Sequence, residues 1–526
     1  MKYFAEINSA LVAKKKFWIV LPLALIVLMG TSCSKDDEVS SGSAASNTTN
    51  TGDDTSDFVE NETWSSSISI MWNGTSVTIS GSVDGVSVAN ENGYVTITST
   101  AKLVEYVLSG NGTGQLSIYS DYKFKLSLED LTLACSDGPA INSQCKKTCY
   151  AVLGGTNTLT DGSSYASSSE DRKAAFFSEG QICFSGSGSL SITGNYKHAL
   201  ASDDYIRLCS GTGTMILTAK GSDGMHANDG IIINDGTLTI SAVEEGIQCD
   251  TSSVVITGGT IDITSSTDKG ILAYANIDIS GGTIKITSKY KCIKTQSNLV
   301  ISGGTITAVA TGTSSSSGTP EGIEAKGTIT ISGGQIYAQA NDDAINSGGD
   351  MTITGGYVCA YSTGNDGLDA NGNCYIQGGL VYAIGASSPE VAIDANSEEQ
   401  KQLYVQGGTL VAIGGLESGA SLTQTCYSAS SWSKSTWYAL TVGSDVFAFK
   451  TPSSGGTTLV VSGASTPTLT SGVSASGTAI FSSMGYYPAS VSGGSSVTLS
   501  TYSGGNSGGG PGGGGNPGGG GGPGGH

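Results

Sequence analysis

Charge is scarce in this chain. Only 13% of its 526 residues are Asp, Glu, Lys or Arg, and 24 basic residues face 44 acidic ones, a net charge of −20. A nucleic-acid surface needs stripes of Lys and Arg, so that class of partner is excluded. Proline (10 residues) and aromatics (7%) are also sparse. Histidine occurs three times, and His526 lies in a Gly-rich tail, so no serine-hydrolase pairing of base and nucleophile is evident. Helical spacing of apolar residues is missing from the middle of the chain. What is abundant is glycine (78 residues), with Ser and Thr. That composition suits short strands and tight turns.

The apolar run FWIVLPLALIVLMG (17–30) is too short for a membrane span. It follows Lys14, Lys15 and Lys16 and precedes small residues, which is the pattern of a secretory signal. The next residues, TSCSKDDE, resemble a lipoprotein signal with Cys33 as the lipidated first residue. The run Lys35-Asp36-Asp37-Glu38 resembles the export signal of surface-exposed bacterial lipoproteins. The resemblance implies a signal peptide over 1–32, a membrane anchor through acyl chains on Cys33, and an outer-membrane lipoprotein exposed at the cell surface. A plainly secreted protein with an incidental Cys33 is the alternative. In an exported protein Cys135, Cys145 and Cys149 are close enough to be candidates for pairing. The remaining cysteines fall mostly singly in repeats, as small wall or core residues.

Those repeats recur at Gly188, Gly213, Gly236, Gly259, Gly282, Gly304, Gly334, Gly356, Gly379 and Gly408, mostly 22 to 25 residues apart. A typical unit is EGIEAKGTITISGGQIYAQA (321–340). Ile323 and Ala325, Ile329 and Ile331, then Ile336 and Ala338 alternate with outward residues. Period two means strands with one buried face. Three short strands per unit, with no room for a hairpin inside it, predict a solenoid whose equivalent strands pair in parallel. The fold class expected is all-β, a right-handed parallel β-helix with three strands per ~23-residue coil. A tether spans 33–57, an N-terminal β cap and first coils 58–135, and the β-helix 136–415. A β-rich C-terminal cap spans 416–502 and a disordered Gly-rich tail 503–526.

Stacking the coils aligns the residue before each strand of the first wall into one column. It reads His198, Asp223, Glu245, Lys269, Lys291, Glu321, Asp343, Asp366, Val391. Three residues on, a second column reads Ala201, His226, Gln248, Leu272, Lys294, Glu324, Asn346, Asp369, Asp394. Carboxylates one coil apart (~4.8 Å) repel by roughly 3 kcal/mol at an effective dielectric of 20. Lys269 can face Glu245, Lys291 can face Glu321, and Lys294 can face Glu324. Below them Asp342, Asp343, Asp366, Asp369 and Asp394 have no basic residue in either column. A divalent ion would remove that repulsion, and oxygen-only donors favour Ca2+. The candidate metal residues are Glu321, Asp342, Asp343, Asn346, Asn365, Asp366, Asp369 and Asp394. A possible second set holds Glu179, Asp203 and Asp229, with Asp223, Glu244 and Glu245. Solvated, screened carboxylates are the alternative for each acid.

The stretches YVLSGNGTGQLSIY, GTNTLTDG, AAFFSEGQICFSGSGSLSI and the GGTITI coils resemble a family of β-helical carbohydrate-binding domains. The resemblance covers about 100 to 415 and implies Ca2+-dependent binding of acidic polysaccharides such as polygalacturonate. The fold and acidic pattern are also similar to the family nine polysaccharide lyases, whose calcium site takes an acid from one coil and an acid-acid-x-x-acid run from the next. Glu321 with Asp342, Asp343 and Asn346 matches that layout, and so does Asp343 with Asn365, Asp366 and Asp369. The lyases also need a Lys base, and the matching region here (371–386) has no Lys or Arg. Lys291 and Lys294 lie beside acids expected to raise their pKa values. The expectation is therefore a non-catalytic, monomeric surface protein binding an acidic polysaccharide, with Tyr337, Tyr357 and Tyr382 stacking on sugars. A β-eliminating lyase, a glycoside hydrolase with paired carboxylates and a structural adhesin are the alternatives.

Overall fold

The structure is a computed structural model that describes residues 55–315 and 318–504. The expected signal peptide, Cys33, the tether up to 54 and the tail from 505 lie outside the described residues. Among the described residues all regular structure is β, apart from four short 3-10 turns.

Each coil lays down three strands, as in Glu321–Ala325, Ile329–Ile331 and Gln335–Ala340. The next coil repeats them as Ile345–Ser347, Met351–Ile353 and Tyr357–Ser362. Equivalent strands pair in parallel: Ile323 with Ile345, Ile329 with Met351, Ile336 with Val358. The first wall is a 13-stranded sheet. The second and third walls join into one sheet through Phe124–Ala134, whose first half pairs with Cys149–Gly154 and whose end pairs with Thr156–Thr160. The fold is thus a parallel β-solenoid.

The alternation read from the sequence sets what lies inside. Ile323, Ile329, Ile336, Ile345, Met351 and Val358 are all fully buried. Each such side chain contributes ~1.5–3 kcal/mol relative to exposure, and like stacks on like along the axis. The recurring glycine marks the corner between the second and third walls. Gly334 has φ +81°, and a Cβ there would lie 2.7 Å from the Gly303 carbonyl oxygen of the coil above. Only glycine makes that turn without strain.

The cysteines do not pair. All ten described cysteines are free and buried. Cys135 Sγ meets Asp137, Cys145 Sγ meets the Tyr122 carbonyl, and Cys149 lies inside the core. Proximity in sequence was a poor guide because each occupies its own position around the coil.

Both ends are covered. At the N-terminal end Ser66–Gly74 pairs antiparallel with Ser76–Ser80, and Val86–Glu91 with Tyr94–Ser99, while Asp57, at the end of the expected tether, lies against the outside of the second wall in an ion pair with Arg207 at 2.9 Å. At the other end, Thr409–Ile413 pairs antiparallel with Leu459–Ser462, which breaks the parallel stacking and shields the open edge. A six-stranded sheet within 437–497 then packs onto the lower third wall.

Candidate functional site

The first wall carries the two columns in register. Pairing runs Ala201–His226–Gln248–Leu272–Lys294–Glu324–Asn346–Asp369. A bridge of Leu368 to Ile393 and of Ile393 to Leu416 carries it on to Asp394 and Glu417. A small residue follows each acid of the first column, glycine after Asp223, Glu245, Glu321 and Asp366 and alanine after Asp343, because the chain turns inward there with little room for a side chain. A Cβ on Gly246, next to Glu245, would lie 2.2 Å from Ile263 Cγ2.

In the upper half lysines meet the acids. Lys269 Nζ is 2.8 Å from Glu245, Lys291 is 2.6 Å from Glu321 and 3.0 Å from Glu324, and Lys294 is 3.2 Å from Glu324. Lys326 adds a further contact to Glu324. The inner oxygens of Glu321 and Glu324 make only these ionic contacts, without a well-aligned hydrogen bond. Burial alone would raise Glu324, but Lys291, Lys326 and Lys294 hold its carboxyl down at about 2. Burial outweighs Lys291 at Glu321, which rises to about 7. Lys294 runs against expectation. Burial outweighs the pull of Glu324, and together with the charges of Lys291 and Lys326 it lowers the ammonium pKa.

The lower half has no such partners. Burial, then the charges of Asp369, Asp342 and Asp366, push Asp343 up to about 9. Burial also raises Asp366 to about 7, against the hydrogen bond it accepts from the Val391 N–H, and raises Asp369 to about 6. Burial and a contact with Glu417 take Asp394 to about 9. Amides bind the cluster together: Asn346 donates to Asp343 at 3.1 Å and Asn365 to Asp342 at 3.0 Å. Donor oxygens of Glu321, Asp342 and Asp343 lie within 4.8 Å of one another, close enough to hold a metal ion. Glu417 and Glu390 were missed in the sequence. Glu417 lies 23 residues after Asp394, which was the available signal.

The possible second set does not assemble as one ladder. Asp203 and Asn228 follow Glu179 in register, whereas Asp229 aligns with Asp204. Asp203 is also bound by Lys173 at 2.7 Å. Asp223, Glu244 and Glu245 do bring oxygens within 4.8 Å, but Lys269 occupies Glu245 and Asp223 turns to two histidines.

A family model described as carbohydrate-binding domain-containing protein matches residues 91–285 and 273–367, together just over half of the chain. The chain belongs to this carbohydrate-binding domain family. Among solved structures, the polysaccharide lyase-like protein from C. thermocellum (a gadolinium derivative) matches with a TM-score of 0.37 and 23% identity. The match covers 50% of this chain and 96% of that one. No curated protein matches.

For a carbohydrate-binding domain the expected tyrosine platform needs correction. Tyr337 and Tyr382 share a column with Cys359, but the C-terminal sheet covers them. Tyr382 is fully buried and donates to the Lys450 carbonyl at 2.9 Å. Neither presents a ring face to a glycan. Tyr357 remains exposed. With Tyr487 of the C-terminal sheet, 5.6 Å between ring centroids, it lines a groove of about 600 Å3 along the glycine corner. On the second wall Tyr375 and Tyr404 stack with centroids 4.9 Å apart and ring planes nearly parallel. Their 29-residue spacing equals that of Gly379 and Gly408, so the repeat already contained this pair.

Proposed function

We propose that this protein is a non-catalytic lipoprotein, anchored through Cys33 and exposed on the outer membrane, that binds an acidic polysaccharide of the polygalacturonate type through Ca2+. The observation that carries the reading is the lower acidic stack. Asp343, Asp366, Asp369 and Asp394 stand on three successive coils, buried or half-buried, and this stretch of the two columns has no lysine or arginine. The donors are all oxygens on a fixed wall, which fits the six to eight oxygen ligands of Ca2+. A bound Ca2+ offsets charge in the stack and can keep coordination positions for uronate carboxylates of a chain lying along the coils. Spaced carboxylates would then set specificity, with the domain acting as a monomer.

Calorimetry with Ca2+ and a polygalacturonate pull-down test this reading. Asp343→Asn with Asp366→Asn is expected to weaken Ca2+ binding by at least about tenfold, roughly 1.4 kcal/mol. Chelation is expected to release the glycan. Glycan retained in chelator would remove the calcium bridge.

One observation favours a second reading, β-elimination. Lys294 has a lowered pKa and stands in the column above Glu324, two coils from Asp343. An amine that gives up its proton more readily than an ordinary lysine is suited to take one from beside a uronate carboxylate. Absorbance near ~235 nm from an unsaturated uronide, produced from polygalacturonate with Ca2+ and lost in Lys294→Met, would establish it.

A further inference from the structure

The upper end of the same wall carries a different set of donors. His198, Asp223 and His226 occupy the coil positions that Glu321, Asp343 and Asn346 fill lower down. All three are buried, with 8%, 2% and 8% of their surface exposed. Nδ1 of His198 lies 3.1 Å from Asp223 Oδ2, and Nδ1 of His226 lies 2.9 Å from the same oxygen. The rings stack with centroids 4.3 Å apart, so both nitrogens converge on one point.

The surrounding hydrogen bonds leave lone pairs at that point. Asp223 Oδ1 is occupied by the Glu245 N–H at 3.1 Å, which turns Oδ2 towards the histidines. His226 Nε2 is 3.2 Å from Asp250 Oδ2. A carboxylate accepts, so Nε2 carries the hydrogen; in the neutral ring Nδ1 then turns a lone pair towards Asp223, and in the imidazolium it donates to it. The Asp223 N–H points at His198 Nδ1 from 3.3 Å, a long contact that marks this nitrogen too as an acceptor. With both rings neutral in these tautomers, two lone pairs face one carboxylate oxygen, and a cation between them relieves the repulsion. The nearby Lys173 does not supply it, being held by Asp203 and Asp171 at 2.7 and 3.1 Å.

We propose that His198, Asp223 and His226 bind one divalent transition-metal ion of the zinc class, at a site separate from the oxygen-only acids below. Two nitrogens and one oxygen suit Zn2+ and are poor for Ca2+. Tetrahedral Zn2+ with bonds of ~2.0–2.1 Å sets its donors ~3.3 Å apart, so the observed 2.9 and 3.1 Å need only a small expansion. Asp250 behind His226 is the outer carboxylate that orients a metal-bound imidazole. Three protein donors leave one position open on the wall. The arrangement that competes is a metal-free imidazolium of His226 bridging Asp223 and Asp250.

The test uses the exported chain with its metal removed, held in excess Ca2+ so that oxygen-only sites are filled. Titration with Co2+ is expected to give one equivalent of visible ligand-field absorption, displaced by Zn2+. His226→Gln and His198→Gln should each lower Zn2+ affinity at least about tenfold, while Asp343→Asn leaves it unchanged. Absence of the Co2+ bands in the wild type, or unchanged Zn2+ affinity in a His226→Gln protein with native circular dichroism, overturns the proposal. Should that variant not fold, X-ray absorption at the zinc edge of the wild type decides. Two imidazole ligands support the site, and oxygen ligands alone sink it.

Discussion

Two stretches of one wall share backbone geometry and differ in charge balance. From Glu245 to Lys326 every inward-facing carboxylate of the columns meets a lysine. From Asp343 to Glu417 the columns supply none. The consequence is large. Glu324 is held at about 2, whereas Asp343, at an equally buried position one coil on, is pushed up to about 9. Burial opposes ionisation in both places, and the neighbouring charge decides which way the balance falls. The upper stretch is a finished structural network. The lower one is complete only with protons or a cation.

Removing a lysine should turn the upper stretch into a copy of the lower. Lys291→Met leaves Glu321 and Glu324 buried with less compensation, and is expected to cost about 3 kcal/mol at neutral pH in urea unfolding. If the comparison is right, the variant's stability should also become sensitive to Ca2+, which it would not be were the lysine merely a surface ornament.

A pH series sharpens the contrast without mutation. The lower carboxyls have folded pKa values above their ordinary ones, so the stability they contribute is present at pH 4 and is lost as pH rises through about 6 to 9. Glu324 behaves oppositely, contributing above pH 4.5 and losing its contribution as pH falls towards 2. Metal-free protein should therefore lose about 1.4 kcal/mol per pH unit for each proton that the folded state keeps and the unfolded chain has released, from about pH 4 until each folded value is passed. Thermal melts with and without chelator check this. Ca2+ should flatten the loss, and its affinity should rise over the same range because protons compete for the same oxygens.

The smallest effect serves as a control for the shared backbone. Gly259→Ala in the upper stretch and Gly356→Ala in the lower place a side chain at φ +84° and +79°, with the new Cβ 2.9 and 2.7 Å from a carbonyl oxygen of the previous coil. Each is expected to cost about 1–2 kcal/mol, equally in both stretches and independent of Ca2+. Unequal costs would mean that the coils differ in more than charge.

Much of the scaffold was legible because its signal is local. Period-two alternation, a glycine every coil and the lysine–glutamate matches Lys269–Glu245, Lys291–Glu321 and Lys294–Glu324 follow from register alone. What register could not show was cover. Tyr337 and Tyr382 read as outward residues, and they are outward from the solenoid, but Phe447, Phe449 and Phe481 arrive from the C-terminal cap, far along the chain, and bury them. The pKa of Lys294 was misjudged for a related reason: its acid partner was visible in sequence, and its burial was not.

The sequence by itself determined the repeat, the inward apolar columns and the order of charges along the wall, because strand alternation and coil length are properties of neighbouring residues. The tertiary structure alone decided which outward side chains still meet solvent and which carboxyls keep their protons. It also decided that two histidines converge on one aspartate oxygen. Burial and distance across coils depend on how separate turns and the terminal sheet pack together, and no single coil carries that information.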